Sequence, residues 1–274
     1  EIYRCDWSSD VCSSDLKQEA ELAATDNAEE FRQKGELLTT FLHQVPNDQD
    51  QVVLDNYYTN EPITIQLNKA LTPNQNAQRY FKRYQKLKEA VKHLTILIQE
   101  TKETISYLET VETALSQASL AEVAEIREEL IQTGFIKRRN REKIHKRKKP
   151  KKYLASDGKT IILVGRNNLQ NDELTFKIAK KDELWFHAKD IPGSHVVITG
   201  NLNPSDEVKT DAAELAAYYS KARFSNLVQV DMIEAKKLNK PTGGKPGFVT
   251  YTGQKTLRVT PEEKKIKAMK LEDW

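Results

Sequence analysis

Across residues 84–108 the apolar positions recur on alternating three- and four-residue steps: Tyr84, Leu87, Val91, Leu94, Ile98, Ile105 and Leu108, with Thr101 taking one place in the row. Lys, Glu and Gln fill the flanks, so the row reads as the heptad seam of a coiled-coil helix. Its start is marked by Thr72 as the cap, Pro73 at the first helical position and Gln75 three residues after the cap. From Pro73 to Ser116 such a helix extends on the order of 65 Å. A lone helix cannot bury this stripe. The expected partner is the segment 19–44, where Phe31, Leu38 and Phe41, with Val45 just beyond, keep a similar spacing. Between the two helices, residues 52–57 and 63–67 alternate like the strands of a small hairpin, with Asn60 and Pro62 at its turn. The periodicity fits a spacer and a reaching arm equally.

A short helix is expected over 121–133, ended by Gly134. Beyond residue 152 the pattern changes to runs of Val, Ile and Tyr, with turns at Asp157-Gly158 and Gly243-Gly244. Strands are expected at 161–164, 184–188, 195–198, 228–234, 247–251 and 256–259. Helices are expected at 170–180 and 205–224. Ser205 caps the second of these, and Leu215, Ala216, Tyr218, Tyr219 and Ala222 supply its buried face. The fold class is therefore α+β: an antiparallel coiled-coil hairpin with a small β-hairpin, then a mixed α+β domain.

Charge sharpens the division. The chain is 30% charged with a mean hydropathy of -0.68, high for a single compact globule. Between residues 137 and 152 stand eleven Lys or Arg against Glu142 alone, a local +10, so the net +3 leaves the rest of the chain at −7. Like charges this dense resist packing, which makes 136–152 a basic linker. A mobile cationic strap also suits a phosphate backbone, because each neutralised phosphate releases counterions. Lys137, Arg138, Arg139, Arg141, Lys146, Arg147, Lys148 and Lys149 are its candidate contacts. No aromatics are interleaved among them, so positioning is expected rather than sequence readout. Cys5 and Cys12 are the only cysteines, and no apolar run reaches the length of a membrane span.

Within the last domain, His187, Asp190 and His195, together with Asp182, have the residue types of a metal site. No closed ligand set, phosphate-binding loop motif or nucleophile elbow accompanies them, so no metal or cofactor is expected. The loop 189–194, with its Pro192-Gly193 turn, is expected to expose backbone N–H groups beside Lys189, Ser194 and His195, which suits a phosphate. A second Gly-rich loop, 240–247, carries Lys245. Arg166 with Asn167 and Asn168, and Lys221 with Arg223, would extend a cationic, amide-rich rim for RNA. His187 has a plain alternative as a strand residue bonded to a neighbouring loop. Trp185 and Phe186 are adjacent on a strand and point to opposite faces, so at most one of them is free.

The order LWFHAKDIPGSHVVI over 184–198, followed by KPGFVTY and KTLRVTP, resembles the C-terminal domain of the NFACT family, the RqcH or fibronectin-binding protein A proteins. The likeness runs on through YLASDGKTIILVGRNNLQNDELTFKIA and, upstream, LNKALTPNQNAQRYFKRYQKLK, and covers nearly everything from residue 19 onward. Members resemble a four-part design: a tRNA-reading N-terminal domain, a helix-hairpin-helix module, a coiled coil and this C-terminal domain. The first two have no counterpart here. Residues 6–16 resemble the conceptual translation of a sequencing adapter, so 1–16 are set apart as an artefact. The resemblance then assigns 17–135 to the coiled-coil arm, 136–152 to the linker and 153–274 to an NFACT-R domain of RNA-binding type.

It implies a cytoplasmic, non-enzymatic quality-control factor that binds stalled large ribosomal subunits carrying peptidyl-tRNA. It further implies recruitment of alanyl-tRNA and extension of the stalled chain by C-terminal alanine, with peptidyl transfer left to the ribosome. Because the family's tRNA selection belongs to the N-terminal domain, this chain is not expected to choose a tRNA alone. The alternatives are a fibronectin-binding adhesin, against which the lack of a signal peptide or wall anchor counts, and a nucleic-acid hydrolase, which lacks a ligand set.

Overall fold

The computed structural model describes residues 27–138 and 148–271. The expected artefact 1–16, the start of the partner helix and the middle of the basic run lie outside these. The chain divides into two compact units between Ile105 and Ser106, upstream of the basic stretch where charge alone places the boundary.

In the first unit, α1 (Ala28–Thr40) leads to a hairpin of β1 (Gln51–Asn56) and β2 (Glu61–Gln66), and then to α2 (Pro73–Ser116), which continues into the second unit. β1 alternates exposed and buried positions, and its register pairs Val52 with Ile65 and Leu54 with Ile63. Asn60 takes the turn's left-handed conformation, φ 57°. Pro62 sits inside β2 opposite Asp55, tolerated because a two-stranded sheet has only edges. Leu37 and Leu38 of α1, Val52 and Leu54, Ile65 and Ala77 share one core. Phe31 meets Tyr80 and Arg83, while Leu38 joins Ala77 in that core, so α1 runs antiparallel to the start of α2. The expected cap holds: Gln75 N donates to Thr72 Oγ1 and Thr72 N to Gln75 Oε1. Along the seam Ile98 is buried and Tyr84, Leu87, Val91 and Leu94 are half-buried, with Lys86, Lys88 and Lys92 exposed between them.

The second unit takes the end of α2, then α3 (Leu120–Gln132), and a six-stranded antiparallel sheet. Its strands are β3 (Lys151–Leu154), β4 (Ile161–Val164), β5 (Leu184–Ala188), β6 (Val196–Thr199), β7 (Val228–Glu234) and β8 (Lys255–Val259), in the order β3-β4-β6-β5-β7-β8. One face carries α5 (Asp206–Tyr218) and α6 (Glu263–Met269) over a core of Phe186, Val196, Ile198, Ala212, Leu215 and Ile266. The other face buries Trp185 with Leu163, Leu174, Val197 and Leu238. Trp185 and Phe186 thus both pack, on opposite faces, and burying Phe186 alone contributes about 1.5–3 kcal/mol.

The α+β class is as the sequence indicates, with five differences in detail. β3 begins inside the run read as linker, because Tyr153 is buried and Lys151 finds a carboxylate. The helix expected at 170–180 is α4 (Asn168–Glu173) followed by a π-turn, Leu174–Ile178. The expected strand 247–251 makes a single bridge, Asn239 with Thr250, since Pro241, Pro246 and the glycines between them cannot sustain a ladder. The helix expected to reach residue 224 ends at Tyr218, and α6 was not anticipated.

Candidate functional site

Two features of the second unit hold the polar chemistry. The first is the seat of α3. Ser119 N donates to Glu122 Oε2 at 2.8 Å, which closes a capping box. From there Glu122, Glu125 and Glu129 recur at helical spacing, with Glu128 beside them, and all four are buried. Charges cannot stay buried without partners. Arg166 Nη1 donates to Glu122 Oε1 at 2.9 Å and Lys151 Nζ lies 3.0 Å from the same oxygen. Glu129 accepts from Asn168 N at 2.9 Å, Asn168 Nδ2 at 3.0 Å and Tyr107 Oη at 2.7 Å. Arg138 pairs with Glu128, and Lys148 N donates to Glu125. Burial pushes the Glu122 carboxyl up, but the Ser119 N–H and the Lys151 ammonium outweigh it and bring it to about 2. At Glu125 and Glu129 burial wins, and both lie above the ordinary carboxylate value.

This seat removes the expected outward rim at 166–168. Arg166 is buried, held by Glu122 and by the Lys149 carbonyl. Asn167 caps α4, and Asn168 is bonded to Glu129 and Thr110. All three are buried in this seat, so they form no outward rim for an RNA strand. Nothing local to residue 166 reveals that Glu122 folds over it. The signal available was the repeat of glutamates itself, Glu122, Glu125 and Glu129 falling on one helical face.

The second feature is a cleft of about 410 Å³ where the two Gly-Pro loops meet the end of α2. Its lining includes Ser106, Glu109 and Thr110, His187, residues 190–193, His195, residues 246–249 and Tyr251. Glycine is required twice. A Cβ on Gly193 would stand 2.9 Å from that of Ser220, and Gly247, at φ +84°, would press one to 2.6 Å from Asn168 Oδ1. Beneath the floor, Trp185 stacks on His187 at 5.7 Å and meets His195 and Tyr251 edge-on. Burial lowers the pKa of both imidazoles, that of His195 well below its ordinary value with His187 adding to the effect, so both are neutral at neutral pH. His195 Nδ1 is bonded to Thr175 Oγ1 at 2.7 Å. Tyr251 Oη and Thr256 Oγ1 donate to buried Asp231.

The N–H groups that these loops were expected to offer a phosphate are largely engaged. Lys189 N bonds to the Gln229 carbonyl, Ser194 N to that of Tyr219 and Gly247 N to Asp172. Asp190, in the left-handed conformation at φ 52°, instead sets an exposed carboxylate at the cleft. Lys221 is bonded to Glu109 at 3.2 Å, and the Lys245 ammonium lies 5.5 Å over Tyr107 and 5.1 Å over Phe135. Lys189 and Ser194 are half-buried. Arg223 lies apart, stacked 4.0 Å over Tyr218 and paired with Glu263. Phe224 beside it is 90% exposed and was not singled out by the sequence. Lys137, Lys148 and Lys149 are exposed, while Arg139, Arg141, Lys146 and Arg147 lie outside the described residues. Among the described residues no three His, Cys, Asp or Glu are grouped to hold a metal ion, and no helix is long and apolar enough to cross a membrane.

Residues 11–149 match the family description "NFACT N-terminal and middle domains", a match that starts within the segment 1–16, and residues 149–253 match "NFACT protein RNA binding domain". The Rqc2 homolog RqcH of Streptococcus pneumoniae serotype 2 is 84% identical over 254 residues, spanning 93% of this chain and 46% of that protein. The Bacillus subtilis protein of the same description is 43% identical over 253 residues, spanning 90% and 44%. The chain thus spans less than half the length of these curated relatives. A solved structure, the C-terminal of the fibronectin/fibrinogen-binding protein from Streptococcus suis, superposes with a TM-score of 0.81 at 68% identity, covering 97% of this chain and 94% of that one. With a family description spanning half of its residues and relatives this similar along nearly all of it, the chain belongs to the NFACT family.

Proposed function

We propose that this chain supplies the arm and the RNA-binding head of a ribosome-associated quality-control factor. In this reading it binds stalled large ribosomal subunits that carry peptidyl-tRNA and supports alanyl-tRNA recruitment for C-terminal alanine tailing. It does no covalent chemistry of its own, and peptidyl transfer remains with the ribosome. The observation that carries the reading is the coincidence of the RNA-binding-domain match over 149–253 with the cleft and the lysines that adjoin it, Lys189, Lys221 and Lys245. The exposed Lys148 and Lys149 at the entry to that domain add sequence-independent attraction for phosphate. The relatives' description as Rqc2 homologs supports the ribosomal setting, in the cytoplasm.

The test is co-sedimentation of the chain with purified large subunits, with and without peptidyl-tRNA, at two salt concentrations and beside a fibronectin control. Saturable, salt-sensitive binding that prefers tRNA-carrying subunits is expected. Absence of subunit binding would remove the reading. A second reading, affinity for fibronectin, is favoured by the description of the Streptococcus suis structure, and the control arm decides it.

A further inference from the structure

The cleft has a mixed character that a phosphate site lacks. Its walls include flat or apolar groups: Phe248, Tyr251, Pro192, Pro246 and the neutral His187 ring. Its fixed charges are carboxylates, Asp190 at the opening and Glu109 on α2. The loop N–H groups are largely engaged, and the charged groups of its lining are hydrogen-bond acceptors. Such an interior repels an anion and suits a flat ring whose edge donates N–H. Lys189 and Lys245 precede lining residues, and Lys221 is bonded to Glu109, so cations adjoin the same cleft. A free cationic ligand would meet these lysines unfavourably, whereas a ring tethered to phosphates satisfies both requirements. The volume, about 410 Å³, lies within the ordinary range of small-ligand pockets and has room for a nucleobase with its ribose.

We infer that the cleft receives one unstacked nucleobase of single-stranded RNA, one that bears an exocyclic amino group, with Asp190 as the acceptor of that group. The inference rests on the RNA-binding reading above and names the ligand of that face. A carboxylate accepts from the amino groups of adenine and cytosine, and uracil has only a carbonyl at the matching place. Unstacked bases held against aromatic side chains are the usual way that single-stranded RNA is read. Asp190 is suited to the task because its backbone conformation holds the carboxylate at the opening, and among the described residues no side chain pairs with it.

The experiment is fluorescence anisotropy of the whole chain with labelled oligo-A, oligo-C and oligo-U pentamers, on the native sequence and on Asp190→Gly, Phe248→Leu and Lys189→Gln. Glycine takes the left-handed backbone of this position at no steric cost, so Asp190→Gly keeps the loop and removes the acceptor altogether, which Asn would not. The native chain is expected to bind oligo-A and oligo-C about tenfold more tightly than oligo-U. Asp190→Gly should erase that preference, and Phe248→Leu should weaken all three. Lys189→Gln should weaken all three equally and flatten the salt dependence. Equal affinity for the three pentamers, or a preference that survives Asp190→Gly, overturns the inference and leaves the RNA-binding reading standing. Failure of every pentamer to bind, with the chain folded by circular dichroism, overturns both.

Discussion

Arg166→Gln separates two roles for one residue, a phosphate contact or the clasp of α3. In the structure its guanidinium is buried and donates to Glu122 Oε1 at 2.9 Å and to the Lys149 carbonyl at 3.0 Å. Removing one partner of a buried ion pair costs about 3–5 kcal/mol, because the other charge stays buried. Here Lys151 remains 3.0 Å from Glu122 and retains part of the attraction, so the expected loss sits at about 3 kcal/mol. Glu122→Gln should cost more, since it leaves Arg166 and Lys151 facing each other without their shared carboxylate. The double variant should lose less than the sum, with a coupling of about 2 kcal/mol. The chain has two compact units, so one global unfolding energy is not a defined quantity. Hydrogen exchange at the amides of α3, β3 and β4 reads the local opening instead. If Arg166→Gln leaves that protection unchanged and lowers RNA affinity, Arg166 faces phosphate and the argument from burial fails.

Three further outcomes follow from the geometry. The folded Glu122 carboxyl, at about 2, lies below its ordinary value of 4.5, so its stabilisation is complete above 4.5 and fades as pH falls toward 2. Glu125 and Glu129 are raised, so they oppose folding at neutral pH and that opposition lifts on mild acidification. Exchange protection of α3, corrected for intrinsic rates, should therefore first rise and then fall as pH drops from neutral; a steady fall from neutral would contradict the assignment. Gly193→Ala places a methyl 2.9 Å from the Ser220 Cβ and 3.1 Å from its Cα, and should lower the local stability of the second unit by about 1–3 kcal/mol with partial rescue by Ser220→Gly, read by hydrogen exchange at the amides of β5, β6 and β7. Replacing residues 146–149 with Ser should weaken binding to single-stranded RNA of any sequence, each lost phosphate contact flattening the logarithmic salt slope by about 0.7. An unchanged slope would leave that run a linker.

Several elements were legible in the sequence because their causes are local. The capping box at Thr72 and Gln75, the stop at Gly134, the alternation of β1 and the Ser205 cap depend on residues within a turn or a strand of one another. The opposed packing of Trp185 and Phe186 follows from strand geometry alone. The candidate site was legible only as parts: two Gly-Pro loops, scattered lysines, two histidines. Whether they meet depends on contacts between residues far apart in the chain. Tertiary structure brought the loop at 190–193 against that at 246–249, and the Trp185 ring beneath both. It also set Glu122 over Arg166 and Glu129 over Asn168. Those pairings turned expected outward donors into an interior clasp, because a buried carboxylate takes whichever cation and N–H groups the fold delivers. Local propensity could place α3, but only the assembled unit decided that its glutamates face inward and that Asp190 is left at the open edge of the cleft.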